Sequence, residues 1–230
     1  MFAGNVSTIL KRISTAAARA QRAPEDVRLI AVTKTVGADN IKEAVDAGLR
    51  SFGESRVQEA QKKISALRSH IANRAVEWHL IGHLQKNKAK YAVGLFDLIH
   101  TVDSIGLAEE LSRQAEKAGK VQRILVQVKL SGEETKHGAS EEEMLSLLAR
   151  VKEFGNLSPE GLMTIPPFFG EKEKARPYFR RLRELRDKAE AAGFRLRELS
   201  MGMSDDFEVA IEEGSTMVRI GSALFGERKA

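Results

Sequence analysis

Eight short apolar runs alternate along this chain with stretches of helical periodicity, and this alternation constrains the fold more than any other feature. The runs begin near Leu29, Arg50, Val76, Leu95, Arg123, Glu160, Leu196 and Met217. Strands that alternate with helices pair in parallel, because each crossover helix returns the chain to the same edge of the sheet. The pattern therefore predicts an α/β fold, either a doubly wound open sheet or a closed (β/α)8 barrel.

The same pattern predicts one domain preceded by a helix. No Pro/Gly/Ser-rich linker and no shift in composition divides the 230 residues. Apolar residues at helical spacing between Val6 and Ala20 predict an amphipathic N-terminal helix. We assign residues 1–24 to this helix and its link, and residues 28–226 to the alternating strands and helices.

Serines mark four predicted helix starts, one of them Ser104, which precedes a helix through Leu107 and Leu111. Ser55 and Ser140 each begin the sequence pattern of a capping box. Ser204 is followed by two acidic residues, which the first turn of a helix favours. Glycines that follow predicted helices are expected to adopt a left-handed conformation, and they are Gly48, Gly119, Gly193 and Gly214.

The composition excludes several classes of protein. The chain has no cysteine, which rules out disulfides and thiolate chemistry, and no apolar run approaches the roughly 20 residues needed to cross a bilayer. The N-terminus lacks the pattern of a secretory signal, so we expect a cytoplasmic protein. The net charge of +5 comes from interspersed charges, which suit an anionic small ligand better than a nucleic acid or a membrane.

A lysine follows the first apolar run directly, at Lys34. If this side chain is buried at the strand end, burial lowers its pKa, and the neutral amine is the form that condenses with a carbonyl to make a Schiff base. The alternative is a lysine whose ammonium group extends from the strand end into water.

Two glycine- and serine-containing turns follow the last two predicted strands, at residues 200–204 and 219–222. Glycine lets the backbone approach a ligand, and free amides at a helix start attract phosphate. In barrels, phosphate commonly binds at the loops after strands seven and eight. Both turns also fit ordinary strand-to-helix connections, with Ser204 as a simple cap. Together with a buried Lys34, which we therefore expect, they predict a phosphorylated aldehyde held as an imine.

We predict no metal site from the sequence. His79 and His83 are four residues apart, but Gly82 and the preceding strand pattern argue against a helical pair of ligands. No third ligand at a suitable spacing accompanies them, and His100 and His137 are single histidines without a motif. Histidines in the core or in hydrogen bonds are the expected interpretation.

Several motifs taken together resemble the pyridoxal phosphate homeostasis proteins. They are Ala31-Val32-Thr33-Lys34, Phe52-Gly53-Glu54, the segment from Trp78 to Lys88, Gly161 to Ile165, Leu199 to Asp206 and Val218 to Gly221. The resemblance covers nearly the whole chain in order. It implies a (β/α)8 TIM barrel related to the N-terminal domain of alanine racemase, with pyridoxal 5′-phosphate (PLP) bound to Lys34 as a covalent imine.

The resemblance also implies the other residues of the cofactor site. Ser200 and the turn Gly221-Ser222 would hold the phosphate, and Arg219 would face the pyridine nitrogen, which then stays unprotonated because an arginine does not give up its proton. Further candidates for cofactor binding, at or near strand ends, are Met163, His79 and Met201. The family often has asparagine where this chain has Ser55, so a contact from that side chain is in doubt.

Two functions fit the resemblance: a carrier that buffers or delivers PLP, and a PLP-dependent amino-acid racemase. A racemase needs a second base opposite the lysine. The resemblance to the related racemases implies that this base is a tyrosine supplied across a dimer. The tyrosines here, Tyr91 and Tyr178, are not at predicted strand ends, and the chain ends shortly after the eighth strand. We therefore expect a monomeric carrier without substantial catalytic activity, whose partners are PLP and, transiently, enzymes that need it.

Overall fold

The computed structural model describes residues 2–131 and 137–226, and within them eight parallel strands form a closed barrel. Each strand pairs with the next along the chain, and the last pairs with the first through Ala31 and Ile220. The strands are β1 (Arg28–Val32), β2 (Ser51–Glu54), β3 (Glu77–Leu80), β4 (Leu98–Val102), β5 (Gln122–Gln127), β6 (Leu157–Met163), β7 (Glu198–Met203) and β8 (Met217–Ile220). The predicted (β/α)8 barrel is confirmed, and the doubly wound sheet is excluded.

A helix follows each strand, and one more precedes the first strand. The helices are α1 (Phe2–Arg19), α2 (Ala38–Asp46), α3 (Val57–Ile71), α4 (Ala89–Leu95), α5 (Ile105–Lys117), α6 (Glu141–Lys152), α7 (Arg176–Ala191), α8 (Phe207–Glu212) and α9 (Ser222–Phe225). Their buried apolar faces pack on the outside of the barrel. Among the described residues, no helix is both long and apolar enough to span a membrane.

The N-terminal helix completes the outer layer of the barrel. The last two helices, α8 and α9, contain six and four residues, so they cover little of the strands beside them. Helix α1 packs against both: Asn5 Nδ2 donates to Leu224 O at 2.9 Å, and Arg12 Nε lies 3.0 Å from a carboxylate oxygen of Glu208. The helix predicted before the first strand is therefore part of the barrel's covering.

The predicted caps and boundaries have a mixed outcome. The capping box of Ser140 is confirmed, because Ser140 and Glu143 exchange hydrogen bonds at the start of α6. The one predicted at Ser55 is wrong, since α3 begins after Arg56 and no side chain caps it. The predicted left-handed glycines are all confirmed, with φ of 94° at Gly48, 63° at Gly119, 89° at Gly193 and 101° at Gly214.

Three strand starts are displaced by two or three residues from their predicted positions. Strand β4 starts at Leu98, because Leu95 still belongs to α4. Strand β6 starts at Leu157, ahead of the predicted Glu160, and includes a proline, whose missing N–H usually argues against a strand. Strand β7 starts at Glu198, two residues after the predicted Leu196.

The barrel interior is closed at the amino ends of the strands by charged side chains. Arg123 donates to Glu77 at 2.9 Å and to Glu160 at 2.8 Å, and Arg28 approaches Glu77 at 3.4 Å. Further along the interior lies an apolar layer of Ile30, Leu98, Leu125, Met163 and Met217. Side chains therefore fill the barrel towards the amino ends of the strands, and a ligand has room only at the carboxyl ends.

Candidate ligand site at the barrel mouth

A cavity of about 630 Å³ opens at the carboxyl ends of the strands. It is lined by Val32, Lys34, Ser55, Ile81, Gly82, Ile165, Met203, Ser204, Asp205, Arg219, Gly221 and Ser222. Four residues predicted to bind the cofactor are therefore brought together, namely Lys34, Arg219, Gly221 and Ser222. The volume falls in the range of small-molecule sites.

The prediction that Lys34 is buried is wrong. Strand β1 ends at Val32, Thr33 is fully buried, and Lys34 is exposed in the turn that follows. The strand ends two residues earlier than the apolar run suggested, so the chain turns before the lysine enters the core. Lys34 still lines the cavity, but burial does not supply the neutral amine that we expected at this position.

The turn that carries Lys34 is held from below by Lys63 of α3. The Lys63 ammonium donates to the backbone oxygen of Thr33 at 2.5 Å, to Glu54 at 2.8 Å and to Glu59 at 2.6 Å. Glu59 also accepts from the backbone N–H of Thr35, which adopts an uncommon φ of 63° for a β-branched residue. The network thus fixes the backbone on both sides of the lysine.

Glu54 is the buried member of this network. Its side chain is 0% exposed, and Oε1 accepts from Thr33 Oγ1 at 2.6 Å and from Lys63. Burial raises the pKa of Glu54, and the hydrogen bonds from Lys63 and Thr33 oppose that rise. The carboxylate therefore depends on the Lys63 cation to remain charged inside the protein.

We expect Lys63→Met to lower the free energy of unfolding by about 3 kcal/mol at neutral pH, because it leaves the Glu54 carboxylate without its cation. A raised folded-state pKa favours the folded state when the group is protonated, so the deficit should shrink as the pH falls from about 7 to about 5. Chemical denaturation at both pH values measures this. The control is Lys62→Met, an exposed neighbour on α3, and an equal loss at both pH values would contradict the assignment.

Ser204 does not begin a helix, contrary to the prediction. Helix α8 starts after Asp206, whose carboxylate accepts from the backbone N–H of Met203 at 2.6 Å. The Ser204 hydroxyl instead faces the turn after β8, where the backbone N–H groups of Gly221 and Ala223 approach its oxygen at 3.3 and 3.5 Å. These are long hydrogen bonds, so the two amides are weakly engaged and lie beside the cavity.

A network of buried hydrogen bonds, here called the Arg219 network, holds Arg219 in place at the cavity wall. Arg219 donates through Nη1 to Ser200 Oγ at 2.7 Å and through Nη2 to Thr164 O at 2.9 Å. Ser200 Oγ lies 2.9 Å from His100 Nδ1, and His100 Nε2 lies 2.9 Å from His79 Nδ1. The Arg219 network therefore links Arg219 in the cavity wall to His79 in the centre of the barrel.

The chemistry of the Arg219 guanidinium decides which group donates in each of these hydrogen bonds. A guanidinium only donates, so Ser200 Oγ accepts from Arg219 and its own O–H is left to donate to His100. Burial lowers the pKa of His79 and of His100, which makes both imidazoles neutral near neutral pH. Burial also lowers the pKa of Arg219 to about 10, with the Asp206 charge opposing, so Arg219 remains cationic.

The other predicted cofactor-binding residues do not line the cavity. Ser200 and His79 are fully buried members of the Arg219 network, beneath Arg219. Met163 lies in the apolar layer of the barrel interior, and the Met201 side chain packs in the core between strands and helices. A direct contact of these four residues with a ligand remains a prediction, and the structure gives Ser200 and His79 a role in supporting Arg219.

Gly82 brings two backbone segments together at the cavity wall. A methyl group at this position would lie 2.2 Å from the carbonyl oxygen of Ser55, so only glycine fits without a backbone shift. The Gly82 carbonyl accepts from Thr101 Oγ1 at 2.9 Å. The wall between the ends of β2, β3 and β4 therefore depends on this close approach.

Comparison with known proteins places the chain in a family. A model of the N-terminal domain of alanine racemase matches residues 5–229. The pyridoxal phosphate homeostasis protein of Aquifex aeolicus (strain VF5) is 48% identical over 225 residues, which are 97% of each chain. The protein of the same name from Escherichia coli (strain K12) is 41% identical over 233 residues, covering 99% of this chain and 97% of that protein. The chain belongs to the pyridoxal phosphate homeostasis protein family.

Solved structures agree with this membership. PipY of Synechococcus elongatus PCC7942, a structure with PLP bound, is 37% identical with a TM-score of 0.86, covering 98% of this chain and 100% of that one. Alanine racemase of Clostridium difficile 630 is 16% identical with a TM-score of 0.75, covering 99% of this chain and 58% of the racemase. The second likeness shows a shared barrel fold and no more.

Several residues that line the cavity of this pyridoxal phosphate homeostasis family member were not predicted as site residues. They are Val32, Ser55, Ile81, Gly82, Ile165, Met203, Ser204 and Asp205. A signal was present for Ser204, which lies in one of the two turns singled out from the sequence but was interpreted as a cap. Gly82 lies within the motif from Trp78 to Lys88. A glycine directly after a strand pattern can indicate a close backbone approach, and this was the available signal.

Proposed function

We propose that this chain is a PLP-binding protein that maintains PLP homeostasis by holding and releasing the cofactor. The observation that carries the proposal is that one cavity brings together a lysine, an arginine and the glycine-serine turn after β8. This set matches an aldehyde that also carries a phosphate. The family names and the PLP-bound PipY structure support the same ligand.

The chain's own groups suit the two ends of such a ligand. We assign the phosphate to the turn at Gly221 and Ser222, where the amides of Gly221 and Ala223 are only weakly engaged by Ser204. An anion can accept stronger hydrogen bonds from these amides than a neutral hydroxyl does. Arg219 adds a buried positive charge on the same wall.

We assign the covalent attachment to Lys34, which lines the cavity from the turn after β1. When bound, PLP supplies an aldehyde that forms a reversible Schiff base with a lysine amine. The turn is anchored through Thr33 and Thr35 by Lys63 and Glu59. An exposed lysine on an anchored turn suits a carrier, because other molecules can reach the bond that must be exchanged.

The racemase alternative receives less support from the cavity. None of the described residues that line it is a tyrosine or a histidine. Tyr91 and Tyr178 lie on helices α4 and α7, so neither is at a strand end, as the sequence predicted, and Tyr91 is 49% exposed. Incubating the loaded protein with single-enantiomer amino acids in deuterium oxide tests the difference, since exchange of the α-proton at enzyme-like rates would overturn the carrier proposal.

A titration with two ligands tests the proposed binding. We expect the cofactor-free protein to remain yellow after it is mixed with PLP and the free cofactor is removed, and to bind pyridoxal, which lacks the phosphate, at least about tenfold more weakly, because charge-assisted hydrogen bonds are lost. A protein that stays colourless with PLP would contradict the proposal.

We further propose that the protein is a cytoplasmic monomer that passes PLP to enzymes that need it.

Replacing Arg219 with glutamine should weaken PLP binding by about 10-fold to 100-fold, since it removes the buried charge near the ligand but retains a donor for Ser200. Absorbance titration measures the affinity. Arg113→Gln on α5 is the control, because Arg113 is an exposed partner of Glu110. Equal affinities in the two variants would exclude Arg219 from the site.

A further inference from the structure

Two histidines and an aspartate meet at the same end of the barrel, outside the cavity described above. His83 follows β3, Asp103 follows β4, and His137 lies after β5. They are far apart in sequence, but they come from consecutive strands of a parallel barrel, whose carboxyl ends lie side by side. The sequence could not join them, because none of the three lies at a local motif spacing from another.

The three side chains are close enough to share one ion. His83 Nδ1 lies 3.6 Å from Asp103 Oδ2, and the rings of His83 and His137 stack with centroids 3.6 Å apart. One nitrogen or oxygen atom from each residue falls within 4.8 Å of those from the others. Ligands bound to one zinc ion at about 2.0–2.2 Å lie roughly 3.4 Å from each other in tetrahedral geometry, so the three side chains are already near the required spacing.

The backbone beneath each of these residues is anchored. Gly82, directly before His83, accepts from Thr101 of β4 at 2.9 Å. The carbonyl oxygen of His137 accepts from Gln127 Nε2 at 2.9 Å, and Ala139 N donates to Gln127 O at 2.9 Å. Asp103 directly follows β4. Anchored backbones favour a metal site, because the segments that carry the ligands lose little further conformational entropy on binding.

We propose that His83, Asp103 and His137 bind a divalent transition-metal ion, with Zn²⁺ as the best match. Two imidazoles and one carboxylate suit zinc and its neighbours in the first transition series better than Mg²⁺ or Ca²⁺, which prefer oxygen ligands. Water completes the coordination, since His83 and His137 are exposed. The stacked rings must rotate apart, so that both nitrogen lone pairs converge on the ion.

Isothermal titration calorimetry of the tag-free protein with ZnCl₂ tests this proposal. We expect one ion per chain, and binding at least about tenfold weaker in His83→Ala and in His137→Ala, because each removes one of three protein ligands. His70→Ala is the control, since His70 lies on α3 beside Asp46 and Arg74, away from the three residues. Circular dichroism verifies that each variant is folded.

Two results would overturn the proposal: no zinc uptake by the wild-type protein at millimolar concentration, or unchanged uptake in both histidine variants. Co²⁺ gives an independent readout, because its visible absorption reports ligand type and geometry. We expect Co²⁺ bands in the wild type and in the His70 control that are absent from the His83 and His137 variants. Bands that persist in those variants would place the ion elsewhere.

Discussion

Lys34→Ala is expected to abolish the covalent attachment of PLP while leaving the fold intact. Lys34 is exposed in a turn, so its truncation leaves no cavity in the core. The Schiff base cannot form without an amine at this position. We expect the absorption band of the protein-bound imine to disappear, and the residual affinity to fall at least about 100-fold, since only the non-covalent contacts remain.

Two further variants separate the covalent bond from the charge of the side chain. Lys34→Arg keeps the positive charge but cannot form a Schiff base, so it should lose the absorption band as completely as Lys34→Ala. Lys42→Ala removes an exposed lysine that pairs with Asp39 on α2, and it should behave as wild type. A band that survives in Lys34→Ala would assign the bond to another lysine.

Gly82→Ala should damage stability and ligand binding together. The added methyl group would lie 2.2 Å from the Ser55 carbonyl oxygen, and this contact is with backbone, so the two loops must separate. We expect the free energy of unfolding to fall by about 2–4 kcal/mol. Because Ser55 and Gly82 both line the cavity, PLP affinity should fall at least about tenfold as the wall moves.

Gly94→Ala is the matched control for this prediction. Gly94 lies in α4, where an added methyl group meets nothing within 4 Å, and alanine there should stabilise the helix by up to about 1 kcal/mol. Denaturant unfolding and PLP titration of the two variants give the comparison. If Gly82→Ala matched Gly94→Ala in both measurements, the close approach of the two loops would have no energetic importance.

The strand-helix alternation was sufficient to predict the α/β class, but the closed barrel came from the family resemblance. Periodicity alone left the open sheet as an alternative, because closure depends on the pairing of β1 with β8 across nearly the whole chain. The charged layer of Arg28, Glu77 and Arg123 was not predicted either. Each residue lies at the start of a different strand, and only the barrel brings them together.

The site was predicted in part, for a similar physical reason. Positions at strand ends identified Lys34, Arg219, Gly221 and Ser222, because parallel strands all end at one mouth. The burial of Lys34 was predicted wrongly, since an apolar run does not reveal where a strand turns. The roles of buried polar residues were also hidden, because the partners of Ser200 come from β4 and β8.

The measurement that tests the account most directly is mass spectrometry of the PLP-loaded protein after borohydride reduction and proteolysis. Reduction converts a Schiff base into a stable bond and so preserves its position. We predict that the added mass of the reduced cofactor lies on the peptide that contains Lys34, and on that lysine. An adduct on a different lysine, or no adduct after PLP loading, would contradict the account.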